Sequence, residues 1–327
     1  MFIIGNLFSL ILVDYNSLKE TIEYVLSCKT GLGTYGASHI VIVENGNFVG
    51  TLEKLSKCFG EYEICSVADI EQSIYKFSNN FQEIYYCSSE ANLGYAKGNN
   101  LGIHIAKSIW NDPYYIVSNN DLVFKEAIDL SIVDRIFREN TSIGVIGPSI
   151  VTPNGELQSP RRWQSAAQRL IFNYWLSAFG GIFGKETRKK IWDKYANDTI
   201  KEAPSGMFAW VSGCFMIIRA AAFHDAGMFD ENTFLYAEEM ILSKRMEAAG
   251  YRIYYCKELE VIHNHAQTTK KALAAFRMVE IDFYANLYFY KYYANTSGVI
   301  LFCAEISFKL LKLCINIKNA LRGKRGK

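Results

Sequence analysis

Residues 114–124 read YYIVSNNDLVF. Tyr114, Tyr115, Ile116, Val117 and Ser118 are aromatic, β-branched or small, the composition of a buried strand. The run then breaks into three short polar residues, Asn119, Asn120 and Asp121, and turns apolar again at Leu122, Val123 and Phe124. A buried strand that delivers a carboxylate and two amides at its C-terminal end is where an open α/β sheet presents its ligand. Carboxylate and amide oxygens are hard ligands suited to Mg²⁺ or Mn²⁺. The same residues also suit an Asx-rich turn that merely closes a strand.

Upstream, Leu7 to Val13 is an apolar run of strand length, and Ser17 is placed to cap a helix from Leu18 to Cys28. His39 to Val43 reads as a second strand ending in the acidic turn Glu44-Asn45-Gly46-Asn47. A short helix is expected over Thr51 to Phe59 and a third strand over Ile84 to Cys87. Asn92 to Gly102, NLGYAKGNNLG, reads as a glycine- and asparagine-rich lead into a helix from Ile103 to Trp110. It matches neither a dinucleotide fingerprint nor a P-loop. It still suits a loop that lets backbone approach a phosphate, with Lys97 assisting. Strands alternating with helices, each strand ending in a polar turn, predict βαβ units and a mostly parallel sheet.

Downstream the pattern is less regular. Strands are expected at Ile143 to Ile146, within Trp210 to Arg219, and at Tyr251 to Cys256 and Glu260 to His263. Helices are expected from Glu238 to Ala249, closed by Gly250, and from Lys270 to Tyr293. Two further groups carry chemistry. Glu238-Glu239 suits the first turn of a helix, where the macrodipole favours carboxylates, or a general base aimed at a hydroxyl. His263 and His265 fall on one face of a strand, as a metal or phosphate pair or as a polar strand end.

The composition is that of a folded chain. Of 327 residues, 50% are hydrophobic and 14% aromatic, ample for a large core. The net charge of +2 is too balanced to argue for nucleic acid. Eight scattered cysteines without a CxxC pair suit free thiols in a reducing cytoplasm. The N-terminus lacks the charged region of a signal peptide.

Taken in order, LILVDYNS, IVIVENGN, NLGYAKGNNLGI, IVSNNDLVF, GPSIVTPNGELQSPRR, VSGCFMIIRAAAFHDAGMFDE, FLYAEEMILSKRMEAAGYRIYY and VIHNHAQT resemble glycosyltransferase family 2, within its bacterial rhamnosyltransferase-like branch. The resemblance implies an α/β GT-A nucleotide-diphospho-sugar transferase fold over residues 1–265, with a mostly parallel central sheet, and a C-terminal helical extension over 266–327. It implies an inverting transferase using a nucleotide-sugar donor, a divalent metal and a lipid-linked saccharide acceptor in O-antigen or capsule assembly. Asp14, Tyr15 and Asn16 would line the nucleotide base, with Glu44 and Asn45 contacting it. Asn92, Gly94, Lys97 and Asn100 would lie beside the nucleotide and sugar, with Asn120 nearby. The metal motif falls on Asn119-Asn120-Asp121, and His263 is the histidine that joins the metal or diphosphate. The catalytic base falls on Glu239, with Glu238 in support. Asn119 departs from the family's first metal acid, and Glu44 and Glu239 stand where Asp is usual. These departures keep open a catalytically silent nucleotide-sugar-binding subunit; a nucleotidyltransferase with a similar α/β sheet is the other alternative, though it would lack the acidic pair with a histidine downstream that this chain has.

Residues 298–318 are apolar but carry Glu305, Lys309 and Lys312, which argues against a spanning helix. Ile300, Leu301, Cys303, Ala304, Phe308, Leu311 and Cys314 recur at helical spacing. After Glu305 come seven basic residues and no acidic ones. A basic amphipathic helix of this kind suits the surface of an anionic membrane, here the cytoplasmic face, or else a packing helix with a solvated tail.

Overall fold

The computed structural model describes residues 8–32, 39–46, 48–78, 82–264 and 272–325. Leu7, Asn47, His265 and the first two residues of the helix expected from Lys270 lie outside them. The order is β1 (Phe8–Asp14), α1 (Leu18–Gly31), β2 (His39–Asn45), α2 (Thr51–Phe59), β3 (Tyr62–Cys65), β4 (Ile74–Ser78) and β5 (Glu83–Ser89). Next come α3 (Gly94–Ile109), β6 (Tyr114–Ser118), β7 (Leu122–Val123), α4 (Leu130–Glu139) and β8 (Ile143–Val151). Then follow α5 (Asn173–Phe179), α6 (Lys185–Ile191), β9 (Gly206–Phe208), β10 (Phe215–Arg219), α7 (Ala220–Asp225), α8 (Glu238–Ala248), β11 (Arg252–His263), α9 (Ala272–Tyr292) and α10 (Gly298–Arg325).

The chain divides into two compact units, residues 1–161 with 199–270, and residues 162–198 with 271–327. The sequence expectation put a single break near residue 265. Residues 163–202 read in sequence as mixed aromatic and charged, helix and loop; of these, 163–198 group with the C-terminal helices.

The first unit is an 11-stranded sheet in the order β3-β4-β5-β2-β1-β6-β10-β8-β11-β7, with β9 also on β11. The α/β GT-A expectation holds for its centre. There β5, β2, β1 and β6 pair in parallel, and β8 pairs with β11 in parallel. The sheet is mixed, however: β10 runs antiparallel to both β6 and β8, and β3, β4, β7 and β9 also pair antiparallel. Those outer strands are short and part-exposed, so they lack the apolar runs by which buried parallel strands announce themselves. In β1, Leu10, Ile11 and Leu12 are fully buried, on alternate faces of the sheet. Each is worth about 1.5–3 kcal/mol of hydrophobic stabilisation. Register pairs Asp14 with Glu44, so the ends of β1 and β2 bring two acids side by side.

The segment read as a glycine loop is the first two turns of α3. Asn99 Nδ2 bonds back to the Tyr95 carbonyl at 2.9 Å inside the helix. Gly102 lies so close to β1 that a Cβ there would stand 2.5 Å from Ile11 Cγ2. These glycines let a helix lie flat on the sheet, which answers the composition as well as a loop does.

The second unit is helical. A π-helical turn at Gln168–Phe172 leads into α5, and α9 and α10 complete it. Arg169 is its half-buried polar hub, pairing with Asp198 at 3.0 Å and donating to Asn286 Oδ1 at 3.0 Å. Phe283 of α9 stacks on Phe308 of α10 with centroids 3.9 Å apart.

Candidate functional site

Two acids end the parallel strands β1 and β2, and hydrogen bonds occupy both. Asp14 Oδ1 accepts from Ser17 Oγ and Thr21 Oγ1, each at 2.7 Å, and from Asn120 Nδ2 at 3.3 Å. Ser17 therefore turns its hydroxyl to Asp14 and gives α1 no side-chain cap. Asp14 Oδ2 is buried and makes no hydrogen bond among the described residues. Glu44 accepts from Thr51 Oγ1 at 2.6 Å and Tyr86 Oη at 2.8 Å. Asn45 donates to the Gly94 carbonyl at 2.9 Å. Tyr15 is exposed at the rim and meets Phe48 edge-on at 5.9 Å, beside Asn16, whose φ is +56°. Phe48, Thr51, Tyr75, Tyr86 and Ser88 line a cleft of ≈ 800 Å³ there, polar and aromatic enough for a nucleoside. A smaller cavity of ≈ 450 Å³ borders Asp121 on the α1 side, with Glu20, Glu23, Lys125 and Glu126 in its wall.

Of the glycine/asparagine segment, most members are structural. Asn92 Oδ1 accepts from the Gly94 amide at 2.9 Å. Gly94 has φ +78°, and a Cβ there would stand 2.1 Å from the Phe234 carbonyl oxygen. Only glycine supplies both the left-handed backbone and that approach. Asn100 is spent on Phe229 and Glu231, donating to the Phe229 carbonyl and to Glu231 Oε1, each at 3.0 Å. Lys97 is exposed on α3. Asn120 turns away from Asp121, donating to Ser17 Oγ at 2.8 Å and Thr21 Oγ1 at 2.7 Å.

Asp121 and His263 meet where β7 pairs with β11. His263 Nε2 lies 3.2 Å from Asp121 Oδ1, and His263 Nδ1 lies 2.8 Å from Gln158 Oε1. The Asn264 amide also donates to the Asp121 carbonyl at 2.9 Å. Burial disfavours the imidazolium, but Asp121 and the Cys214 thiol outweigh it and lift His263 to about 10. Asp121 Oδ1 is buried, faces His263, and lacks hydrogen-bond geometry to any group among the described residues. The two side chains do not form a cage: among the described residues no group of three or more His, Cys, Asp or Glu converges. Mg²⁺ and Mn²⁺ commonly take one or two carboxylates and fill the remaining positions with substrate phosphates and water. One carboxylate and one imidazole fit that demand provided an arriving metal displaces the Nε2 proton that His263 shares with Asp121. Asn119 is fixed two residues earlier, its amide donating to the Cys214 carbonyl at 2.8 Å.

The acidic pair opens α8. Tyr236 and Ala237 just before it have φ of +76° and +66°, a strained approach for non-glycine residues. Glu238 is buried, whereas Glu239 lies half-buried beside Gly213 and Tyr95. Tyr95 Oη donates to the Gly213 carbonyl at 2.6 Å. Burial, then the Glu239 and Glu238 carboxylates, push the Tyr95 phenol well above its ordinary value, so it remains a neutral donor. Gly213 lies beside this acid with a methyl-sized space between them, and its neighbour Cys214 accepts from the Asn119 amide and interacts with His263. The two corners are therefore joined by one dipeptide whose Cα atoms are about 3.8 Å apart. Tyr95, Gly213, Cys214 and Gln158 went unnoticed in the sequence, although each sits inside a segment quoted above for its family likeness.

No family model matches the chain. Over 186 residues it is 27% identical to an N-acetylglucosaminyl-diphospho-decaprenol L-rhamnosyltransferase of Mycobacterium tuberculosis, covering 55% of this chain and 58% of that protein. The chain thus spans less than two thirds of that relative. It is 23% identical over 260 residues to the low-salt glycan biosynthesis hexosyltransferase Agl10 of Haloferax volcanii, covering 80% of this chain and 77% of that one. Among solved structures, GalNAc-T7 with UDP, GalNAc and Mn²⁺ superposes with a TM-score of 0.53 at 12% identity, over 85% of this chain and 48% of that one. The chain has the GT-A fold and is similar in sequence to rhamnosyl- and hexosyltransferases.

Proposed function

We propose that this protein is an inverting glycosyltransferase that moves a hexose or deoxyhexose from a nucleotide sugar to a lipid-linked saccharide during cell-surface polysaccharide assembly. The observation that carries the reading is the Gly213–Cys214 dipeptide, which lies beside Glu239 at Gly213 and beside His263, the partner of Asp121, at Cys214. A base for an acceptor hydroxyl and a site for a leaving diphosphate must lie this close for one displacement to join them.

In this reading the Tyr15–Phe48 rim and the adjoining cleft receive the nucleoside, and Asp14 and Glu44 brace its wall. Asp121 and His263 would hold a divalent metal, whose chemistry is to neutralise the charge developing on the diphosphate. Glu239 accepts the acceptor's proton as that oxygen attacks the anomeric carbon from the face opposite the diphosphate, which inverts the centre. Tyr95, near both carboxylates, stays a neutral donor to the Gly213 carbonyl. The names of the mycobacterial and haloarchaeal relatives support sugar transfer, and the first of them supports a polyprenyl-linked acceptor. Among the described residues no helix is long and apolar enough to cross a membrane, so access to such an acceptor calls for peripheral contact, placed here on the cytoplasmic face.

Calorimetry against UDP-, GDP-, dTDP- and CMP-sugars, with and without Mn²⁺, tests the donor half. Metal-dependent binding of one of them, followed by transfer to a polyprenyl-diphosphate sugar with inverted configuration, is expected. Binding without any turnover would favour the silent subunit, and pyrophosphate release from a nucleoside triphosphate would favour the nucleotidyltransferase.

A further inference from the structure

The two units differ sharply in charge. Residues 162–198 and 271–327 hold 17 basic and 6 acidic residues, a net +11, while the sheet unit holds 18 and 27, a net −9. The overall +2 conceals this division. In the helical unit, Asp198 is buried against Arg169, and Asp282 accepts from the Tyr174 hydroxyl at 2.5 Å. Lys185, Lys189, Lys190 and Lys309 by contrast are exposed.

The same unit shows apolar surface that folding leaves uncovered. Ala304, Phe308 and Leu311 form the buried face of α10. On the opposite face Val299, Phe302, Ile306, Leu310, Leu313 and Ile317 are all exposed, Phe302 by 64% and Leu310 by 52%. Their spacings of three and four residues place them in one line on a helix, about 27 Å long at 1.5 Å per residue. Of the face picked out from the sequence, Ala304, Phe308 and Leu311 pack inward while Ile300 and Cys303 are exposed, and the outward stripe is a second one. Near its C-terminal half stands an apolar tip, Ile182 and Phe183, exposed by 77% and 54%. Lys318 joins the two features, donating to the Ala178 carbonyl at 3.3 Å and lying 5.0 Å above the Phe179 ring. The tip leads directly into α6, with its exposed lysines and the single acid Glu186.

We propose that the α10 stripe and the Ile182–Phe183 tip together form the surface by which this protein lies on an anionic lipid bilayer. The surface combines an apolar line with a surrounding positive charge, the two features an interfacial helix uses. Nucleic acid would match the charge and leave the apolar line in water. A second copy meeting face to face would oppose +11 with +11. This inference specifies the peripheral contact in the function proposed above and rests on it.

The test uses the full chain and vesicles of phosphatidylcholine with and without phosphatidylglycerol, read by co-sedimentation at low and high salt. Binding only to the anionic vesicles, weakened by salt, is expected. Phe302→Ser with Leu310→Ser, and separately Ile182→Ser with Phe183→Ser, should each lower partitioning by roughly tenfold or more. Lys189→Glu with Lys190→Glu should do likewise, by roughly tenfold. Ile64→Ser, an exposed apolar residue of the acidic unit away from the nucleoside cleft, should change nothing, and all variants should bind donor nucleotide as the parent does. If the parent binds but the paired variants bind equally well, the surface is wrong while membrane contact stands. If the parent ignores anionic vesicles, both fall. If the parent is a dimer that these variants dissociate, the surface is a self-interface and the proposal is overturned.

Discussion

The acids at the ends of β1 and β2 and the acids just after β6 and in the first turn of α8 look alike in sequence and are treated differently by the fold. Asp14 and Glu44 receive hydroxyls from Ser17, Thr21, Thr51 and Tyr86 at 2.6–2.8 Å. Asp121 faces an imidazole, and Glu239 faces a glycine backed by a phenol. Four short hydroxyl bonds hold the two carboxylates in fixed orientations that shape a wall. An imidazole is itself a metal ligand, and a glycine beside a carboxylate leaves room for a substrate atom. The first pair therefore suits bracing and the second suits chemistry.

The sharpest way to break this contrast is at Glu239. Glu239→Gln keeps size and hydrogen bonding but cannot accept a proton, so turnover should fall by about 10²–10⁴ with donor affinity unchanged. Glu238→Gln, on the buried side of the same helix start, should cost less. If Glu238→Gln is inactive and Glu239→Gln is not, the roles are off by one residue. If neither changes turnover, the carboxylates serve α8 alone, and Asp225 and Asp230 are the next bases to test.

Asp121→Asn comes next. It preserves shape but removes the anion, and Mn²⁺-dependent donor affinity should drop by at least roughly tenfold, measured calorimetrically. Binding that keeps its full Mn²⁺ dependence would remove Asp121 from the metal site. Stripping divalent ions with a chelator should reproduce the loss in the parent protein.

Much of this arrangement was legible in the residues, for identifiable reasons. The run Tyr114–Ser118 is buried along its whole length, so its composition alone marked a central strand, and the Asp121 turn followed. The Asn92–Gly102 segment misled because a glycine that relieves crowding and one that frees the backbone look identical in sequence. Gly102 does the first, against Ile11, and Gly94 does the second, against Phe234. The partners of Glu44 were invisible because Tyr86 lies 42 residues away and reaches it only through the pairing of β2 with β5. The outward stripe of α10 was missed because apolar residues occupy two faces of that helix, and periodicity does not say which face is covered.

A smaller effect tests the bracing half. Glu44→Gln keeps the side chain's shape but weakens its bonds to Thr51 and Tyr86, and should cost about 1–2 kcal/mol of stability in urea unfolding. Donor affinity should change little. A collapse of affinity at unchanged stability would mean that Glu44 reads the base directly and belongs with the reactive acids.

The smallest expected effect concerns Gly213. Its φ lies outside the left-handed region, and a Cβ built there meets Tyr95 Oη at 3.4 Å and Glu239 Oε2 at 3.7 Å, ordinary contacts. The fold therefore tolerates alanine, and the absence of a side chain has no conformational cause. What glycine leaves is a methyl-sized space next to the carboxylate oxygen. If an acceptor hydroxyl approaches Glu239 through that space, Gly213→Ala crowds it without touching the donor. Overpacking by a methyl typically costs about 1–3 kcal/mol, so kcat/KM for the saccharide acceptor should fall by roughly fivefold or more. Thermal stability and donor affinity should match the parent. Hydrolysis of the donor by water, a far smaller nucleophile, should survive. A variant that transfers sugar as fast as the parent would show that the acceptor reaches Glu239 from another side, and would separate the position of the base from the path of the substrate toward it.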